Sequence, residues 1–299
     1  MSLQWVLTGL FGFFWGGFVT PISIRLARAY HIMDLPDPRK IHKVQTPRGA
    51  GLGLWAGYLL WALYFVSDFA LIKYTAAGAS IVFFCGYLDD MKSMSPFLRL
   101  GVHLCAAAIV LWPLRLPFLT AGLCFFWITG MTSAYNLIDG VNGLCISLFI
   151  ASGVALCCVD SGAALFGVAG SAMAVGVLCW NFPTARTFLG DGGSTLLGFL
   201  FSCHLVVFCA PVLGRARLHE LILLLLLFGG VPVLDTLIAF SRRILKGKSP
   251  FYPDRGHLHH HLMTLTQSPW GAVSCLLLLH SLLLAAGVTV YVRMYGAGA

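Results

Sequence analysis

Ten apolar runs of about twenty residues each dominate this chain, and they leave few folds open to it. They lie near 3–24, 49–67, 69–88, 97–113, 117–135, 141–159, 162–180, 193–212, 219–240 and 270–292. A helix needs roughly 20 mostly apolar residues to cross a bilayer. The runs are rich in Leu, Ala and Gly and do not alternate with period two, so they read as helices and not as barrel strands. Mean hydropathy of +0.86, with charged residues at 10%, excludes an ordinary soluble domain. The expectation is an all-α integral membrane protein: one polytopic domain over residues 1–299, built as a bundle of about ten transmembrane helices.

Orientation follows from the basic residues. The first run carries no Lys or Arg, so it lacks the basic start of a signal peptide. It is followed by Arg25, Arg28, Arg39, Lys40, Lys43 and Arg48. Basic loops stay in the cytoplasm, which places both termini outside. Under that topology the outer connections hold only Lys73, Arg115, Arg215, Arg217 and Arg293 of the 19 Lys and Arg. The polar segments at about 25–48, 89–99, 136–143, 181–193 and 241–269 are then all cytoplasmic. The net charge of +8 suits anionic head groups and nucleotide phosphates. It is split among loops, with no soluble module to carry it, which argues against nucleic-acid binding. The ten Cys sit almost entirely in apolar runs without CxxC spacing and read as small buried hydrophobes.

Only 11 residues are Asp or Glu, and Asp34, Asp37, Asp89, Asp90, Asp139, Asp191, Asp235 and Asp254 fall in or beside those polar segments. A carboxylate near a bilayer costs free energy, so a gathering of them on one side points to chemistry there. The segment Asp34–His42, followed by Thr46-Pro-Arg-Gly-Ala-Gly51, is an irregular loop able to bind phosphate through Arg48 and Lys40, or simply a positive-inside loop. The adjacent pair Asp89-Asp90 repels itself unless a divalent cation or a shared proton intervenes, though a solvated loop cap explains such a pair equally. Asn136, Asp139 and Asn142 share one face if their segment is helical. In Asn181–Ser194, Asp191 opens a span from a Gly-rich turn; it is either an oxygen ligand for Mg²⁺ or a helix cap. Asp235 lies within the ninth run, as a functional carboxylate or as the partner of Arg242 or Arg243. His257, His259, His260 and His261 form a cluster open to a transition metal or to diphosphate oxygens, and the hard oxygen donors elsewhere favour the second.

Taken in order, DxPDxRKIH…PRGxG, LDDxxxxxPxxRL, NxxDGxNGL, NxxPxxxFLGDGGS and HxHHxL resemble the polyprenyl-phosphate N-acetylhexosamine-1-phosphate transferases of glycosyltransferase family 4, over roughly residues 34–262. The first loop is similar to the branch acting on simple UDP-N-acetyl sugars. The resemblance implies transfer of a sugar 1-phosphate from a UDP-sugar to a polyprenyl (undecaprenyl) phosphate, releasing UMP at the cytoplasmic face of a bacterial inner membrane. It implies Mg²⁺, with Mn²⁺ as a substitute, held by Asp191 and Asn136. Asp89, Asp90, Asp139 and His257 take the catalytic roles, with Asp89 the candidate base for the lipid phosphate. Asn181, Phe188 and Asn142 hold the nucleotide, and Arg48, Lys40, Arg255, His259 and His260 the phosphates. A homodimer is compatible with the resemblance. Three positions depart from the family pattern: Asn142 where many relatives carry Asp, Ala50 in place of a glycine, and His261 where Arg is frequent. The competing readings are a lipid-linked-sugar flippase, which calls for polar residues along the middle of the spans, and a catalytically inactive member of the same fold.

Overall fold

In the computed structural model the described residues are 3–36, 44–65, 71–249 and 256–296. Helix α1 (Leu3–Ala29) leads into a two-stranded antiparallel ribbon of β1 (Met33–Asp34) and β2 (Thr46–Pro47), which pairs Met33 with Pro47 and Asp34 with Thr46. Then follow α2 (Ala50–Phe65), α3 (Ile72–Met91), α4 (Pro96–Leu111), α5 (Phe118–Ile138), α6 (Leu144–Leu156), α7 (Ser161–Asn181), α8 (Gly190–Leu213), α9 (Leu218–Leu245), α10 (Leu258–Thr266) and α11 (Pro269–Tyr295).

Each of the ten apolar runs is a helix, and α10 is an additional short one after the ninth. Among the described residues seven helices are long and apolar enough to cross a membrane: α1, α4 with the turn after it, α5, α7, α8, α9 and α11. The chain is therefore a multi-pass membrane protein. The other three fall short for visible reasons. Helices α2 and α6 are shorter, and the 13 residues of α6 rise only about 20 Å against a hydrocarbon core of about 30 Å. Helix α3 carries Lys73 near one end and Asp89 and Asp90 at the other.

Helix α8 forms the axis of the bundle. Most of its residues are buried, and it packs against α2, α3 and α5. Helix α1 lies along α7, where the small residues Gly12, Gly16 and Gly176 let the backbones meet. Helix α9 is broken at Gly230, whose φ of 54° is open to glycine and strained for other residues. His280 of α11 accepts the freed backbone N–H of Val231 at 3.2 Å, so the break is satisfied from inside the bundle. The C-terminal ends of α1, α3, α5, α7 and α9 and the N-terminal ends of α2, α4, α6, α8 and α11 converge at one end of the bundle, joined by the contacts described next.

Candidate active site

A cavity of about 580 Å³ opens at this end. Asp34, Arg48, Asn136, Asp139, Asn142, Asn181, Phe188, Asp191, His259 and His260 all line it, so residues far apart in sequence come together there. Lys40 and Arg255 lie outside the described residues, as do Asp37, His42 and Asp254.

The carboxylates are bracketed by two arginines. Arg48, delivered by β2, reaches Asp34 with Nη2 and donates from Nη1 to Asp90 Oδ1 at 2.9 Å. Arg99, on the first turns of α4, donates from Nη1 to Asp89 Oδ2 at 2.6 Å and to Asp191 Oδ2 at 3.2 Å. Backbone amides complete the set: Met94 N–H donates to Asp89 and Gly192 N–H to Asp90. Asp89 and Asp90 have side chains only 7% and 2% exposed and are absent from the cavity wall, whereas that of Asp191 is 31% exposed and lines it. The adjacent pair is thus relieved of its mutual repulsion by Arg48 and Arg99 and stands behind the surface. Gly190 permits this arrangement. Its φ is +73°, and a Cβ there would run into the Asp90 carboxylate.

Asn136, Asp139 and Asn142 do not share a helical face. Helix α5 stops at Ile138, Asp139 is its non-helical C-cap, and Gly143 with φ +77° turns the chain into α6. The glycines at 140 and 143 break the periodicity that the spacing suggests, yet all three polar residues still reach the cavity. Burial, then the charges of Asp191 and Asp90, push the carboxyl of Asp139 up to about 7, with Arg48 opposing.

Asn181 acts on the walls. Its Oδ1 accepts from Gly143 N–H at 2.6 Å and its Nδ2 donates to Thr187 O at 2.9 Å, tying the 140–143 turn to the segment before α8. Phe188 is fixed by its backbone, which donates to Pro47 O at the end of β2 and accepts from Gly49 N–H just after it. Two aromatic residues that no sequence motif singled out, Phe182 and Trp270, stand at the rim with ring centroids 4.6 Å apart. Their signal in the sequence is a proline beside each, Phe182-Pro183 and Pro269-Trp270, which marks a rigid turn and nothing more.

The histidines divide. His259 and His260 line the cavity, and the His259 ring lies against Gly140. Burial, then the neighbouring His260 and His257, lower the His259 imidazole to about 4, so it is neutral at ordinary pH. His257 is not on the wall. Its Nδ1 meets Asp235 at 2.6 Å and its Nε2 meets Arg243 at 3.4 Å.

The oxygen-rich wall suits a hard cation. Asp191, Asp139 and the Asn136 carbonyl supply oxygens and no sulfur. No group of three or more His, Cys, Asp or Glu stands as a ready metal cage among the described residues. Mg²⁺ commonly binds one or two carboxylates and completes its shell with water and substrate phosphate, so this donor set fits Mg²⁺ bound with substrate better than it fits a closed protein cage.

Against known sequences, the profile of "Glycosyl transferase family 4" matches residues 72–209, from the start of α3 almost to the end of α8. A probable undecaprenyl-phosphate N-acetylglucosaminyl 1-phosphate transferase of Bacillus subtilis is 31% identical over 269 residues, covering 82% of this chain and 73% of the relative. The chain belongs to glycosyl transferase family 4. The undecaprenyl-phosphate alpha-N-acetylglucosaminyl 1-phosphate transferase of Thermotoga maritima is also 31% identical, over 81% of this chain and 77% of its own length. The like-named Escherichia coli K12 protein is 26% identical over 88% and 78%. The matched stretch contains Asp89, Asp90, Arg99, Asp191 and the Asn136–Asn142 turn, while Asp34 and Arg48 precede it.

Proposed function

We propose that this family 4 protein transfers N-acetylhexosamine 1-phosphate from a UDP-sugar to a polyprenyl phosphate, giving polyprenyl diphosphate-sugar and UMP. This would be the first membrane step of a cell-surface glycan pathway, in a bacterial inner membrane. The observation that carries the reading is one cavity where Asp34, Asp139 and Asp191 face Arg48, His259 and His260 beneath an aromatic rim. Both substrates are anionic, so catalysis here is mainly positioning and charge neutralisation. The cavity carboxylates and their arginine partners gather at one end of the bundle, which favours a transferase over a flippase.

Asp191 and Asn136 would hold Mg²⁺, which neutralises the diphosphate and the departing UMP when bound. Asp139, with a carboxyl near pH 7, is matched to take a proton from the acceptor phosphate, whose second pKa is about 6. Asp89, the base implied by resemblance, is held instead by Arg99 and the Met94 amide, and its role here is to fix Arg99 beside Asp191. Arg48 and His260 face the phosphates. Phe188, with Phe182 and Trp270, offers ring faces to the uracil and sugar. In this reading all ten apolar helices belong to the membrane domain, the cavity faces the cytoplasm and both termini lie outside; helices too short to span sit beside longer ones.

The test is UMP release by detergent-purified protein, with undecaprenyl phosphate and a panel of UDP-N-acetylhexosamines, in Mg²⁺, Mn²⁺ or EDTA. Release that requires lipid and cation and selects one sugar is the expected result. Release indifferent to lipid, or full activity of Asp191→Asn, would sink the proposal.

A further inference from the structure

Helix α10 begins without a cap of its own. His257 stands at its N-cap position with extended backbone and makes no side-chain cap bond. The first helical amide, Leu258 N–H, donates instead to Oδ1 of Asp235, at 2.7 Å, on α9. The other oxygen of the same carboxylate takes the His257 Nδ1 at 2.6 Å. Asp235 is 1% exposed and His257 6%. A buried carboxylate persists only with such partners.

The polarity of this network is fixed by chemistry. An ionised carboxylate only accepts, so His257 carries its proton on Nδ1. Its Nε2 is then a bare acceptor facing the Nη2 of Arg243, a buried residue that only donates. Both ring nitrogens of His257 are thereby engaged. Arg242, the preceding residue, donates from Nη1 to Gly256 O at 2.5 Å, on the approach to α10. The His257 ring lies parallel to that of His259, with centroids 5.8 Å apart, and His259 closes the cavity against Gly140, next to Asp139. A chain of contacts therefore runs from Asp235 through His257 to the cavity wall.

We infer that Asp235 is a positioning residue for the transfer reaction: one oxygen caps α10, the other fixes the tautomer of His257, and together they seat His259 and His260 at the cavity. This inference rests on the proposed transferase activity for its kinetic readout and on geometry alone for its structural one. It assigns His257 a relay role in place of contact with substrate.

Two variants separate the two oxygens. Asp235→Ala removes both bonds. Asp235→Asn keeps an acceptor for Leu258 N–H, but its amide nitrogen donates toward His257. The His257 proton must then move to Nε2, where it confronts the Arg243 donor. Adding Arg243→Gln supplies a carbonyl that accepts from Nε2–H and reverses the polarity of the whole network. Turnover of purified protein is read as UMP release from UDP-N-acetylglucosamine or the preferred donor, and protection of residues 258–266 by hydrogen exchange. Asp235→Asn should lower kcat about 10- to 100-fold, the size of effect known for removing the hydrogen-bond partner that orients a metal-bound histidine, with KM for the UDP-sugar within about threefold and exchange at 258–266 near that of the parent protein. Asp235→Ala should lower kcat further and raise exchange across 258–266. Asp235→Asn/Arg243→Gln should recover at least half of the loss on a logarithmic scale, which a merely structural role for Asp235 would not produce. Parent-like kcat in Asp235→Asn, parent-like exchange in Asp235→Ala, or a double variant no faster than Asp235→Asn would overturn the inference. A parent protein that releases no UMP from any donor would count against the transferase reading, while the exchange arm would still decide whether Asp235 anchors α10.

Discussion

Removing the Arg48 side chain tests how the carboxylates are held at this end of the bundle. Arg48 makes ion pairs with Asp34 and Asp90, and in its absence Asp90 keeps only backbone amides, those of Asp191 and Gly192, among the described residues. The Asp90 side chain is 2% exposed, so it cannot recruit water in compensation. Breaking a buried pair by deleting one partner costs about 3–5 kcal/mol. Arg48 retains 27% exposure, which places Arg48→Ala near the lower end, at about 3 kcal/mol. For a chain of this length that corresponds to a fall in Tm of about 6 °C at roughly 2 °C per kcal/mol, read by thermal scanning in detergent. The stronger test is compensation. Asp90→Asn leaves an oxygen for Gly192 N–H and removes the orphaned charge, so Arg48→Ala/Asp90→Asn should recover more than half of the lost Tm. UMP release should stay low in the double variant, because Arg48 also faces the cavity. An Arg48→Ala protein as stable as the parent, or a double variant no more stable than Arg48→Ala, would refute this electrostatic account.

Other expectations are independent of that one. Asp139 has a folded-state carboxyl raised to about 7, so the stabilisation its protonated form gives the cation-free protein is lost as pH rises through 7. Turnover should rise over the same interval at low Mg²⁺ and reach half-maximum at lower pH as Mg²⁺ is increased; a limb that ignores Mg²⁺ would detach Asp139 from the site. Trp270→Ala should raise KM for the UDP-sugar about tenfold, worth about 1.4 kcal/mol of ring contact, with kcat nearly unchanged in steady-state assays. Gly190→Ala should lower stability by at least about 1–2 kcal/mol for the left-handed backbone alone, and UMP release should fall with it as the Asp90 carboxylate is displaced; parent-like melting would show that the turn relaxes freely.

Helix periodicity and the sidedness of charge were legible because each depends on neighbouring residues. Ten apolar runs announced ten helices, and Asp34, Asp89, Asp139 and Asp191 announced one end of the bundle, since no other placement spares a carboxylate the cost of lipid. What stayed hidden were choices made between distant residues of the same type. Nothing local distinguishes Arg48 and Arg99, which bracket carboxylates 42 and 92 residues away, from the basic residues that merely set orientation. Adjacent motif letters proved equally silent about facing: His257 and His259 are two residues apart, and only the position of Asp235, 22 residues earlier, turns one into an anchor and leaves the other on the wall. The helical reading of 136–142 failed for a local reason, since two glycines outweighed a three-residue spacing.

The division of labour among the carboxylates follows from the same geometry. Asp89 and Asp90 are buried and paired, so their charge is largely neutralised within the protein. Asp191 shares Arg99 with Asp89 and keeps a third of its side chain accessible, and Asp139 sits close enough to feel its charge. The uncompensated negative potential therefore concentrates at Asp191 and Asp139, on the cavity wall, where a cation arriving with a diphosphate gains most. Neutralising Asp89 or Asp90 should act indirectly, by releasing Arg99 or Arg48 into the cavity, and should weaken cation dependence before it abolishes turnover. In the proposed function, neutralising Asp191 removes the cation's carboxylate itself. A titration of UMP release with Mg²⁺ in Asp89→Asn and Asp191→Asn separates the two: a shifted half-saturation for the first and no cation response for the second. Identical curves would mean that the paired and exposed carboxylates hold the cation as equals.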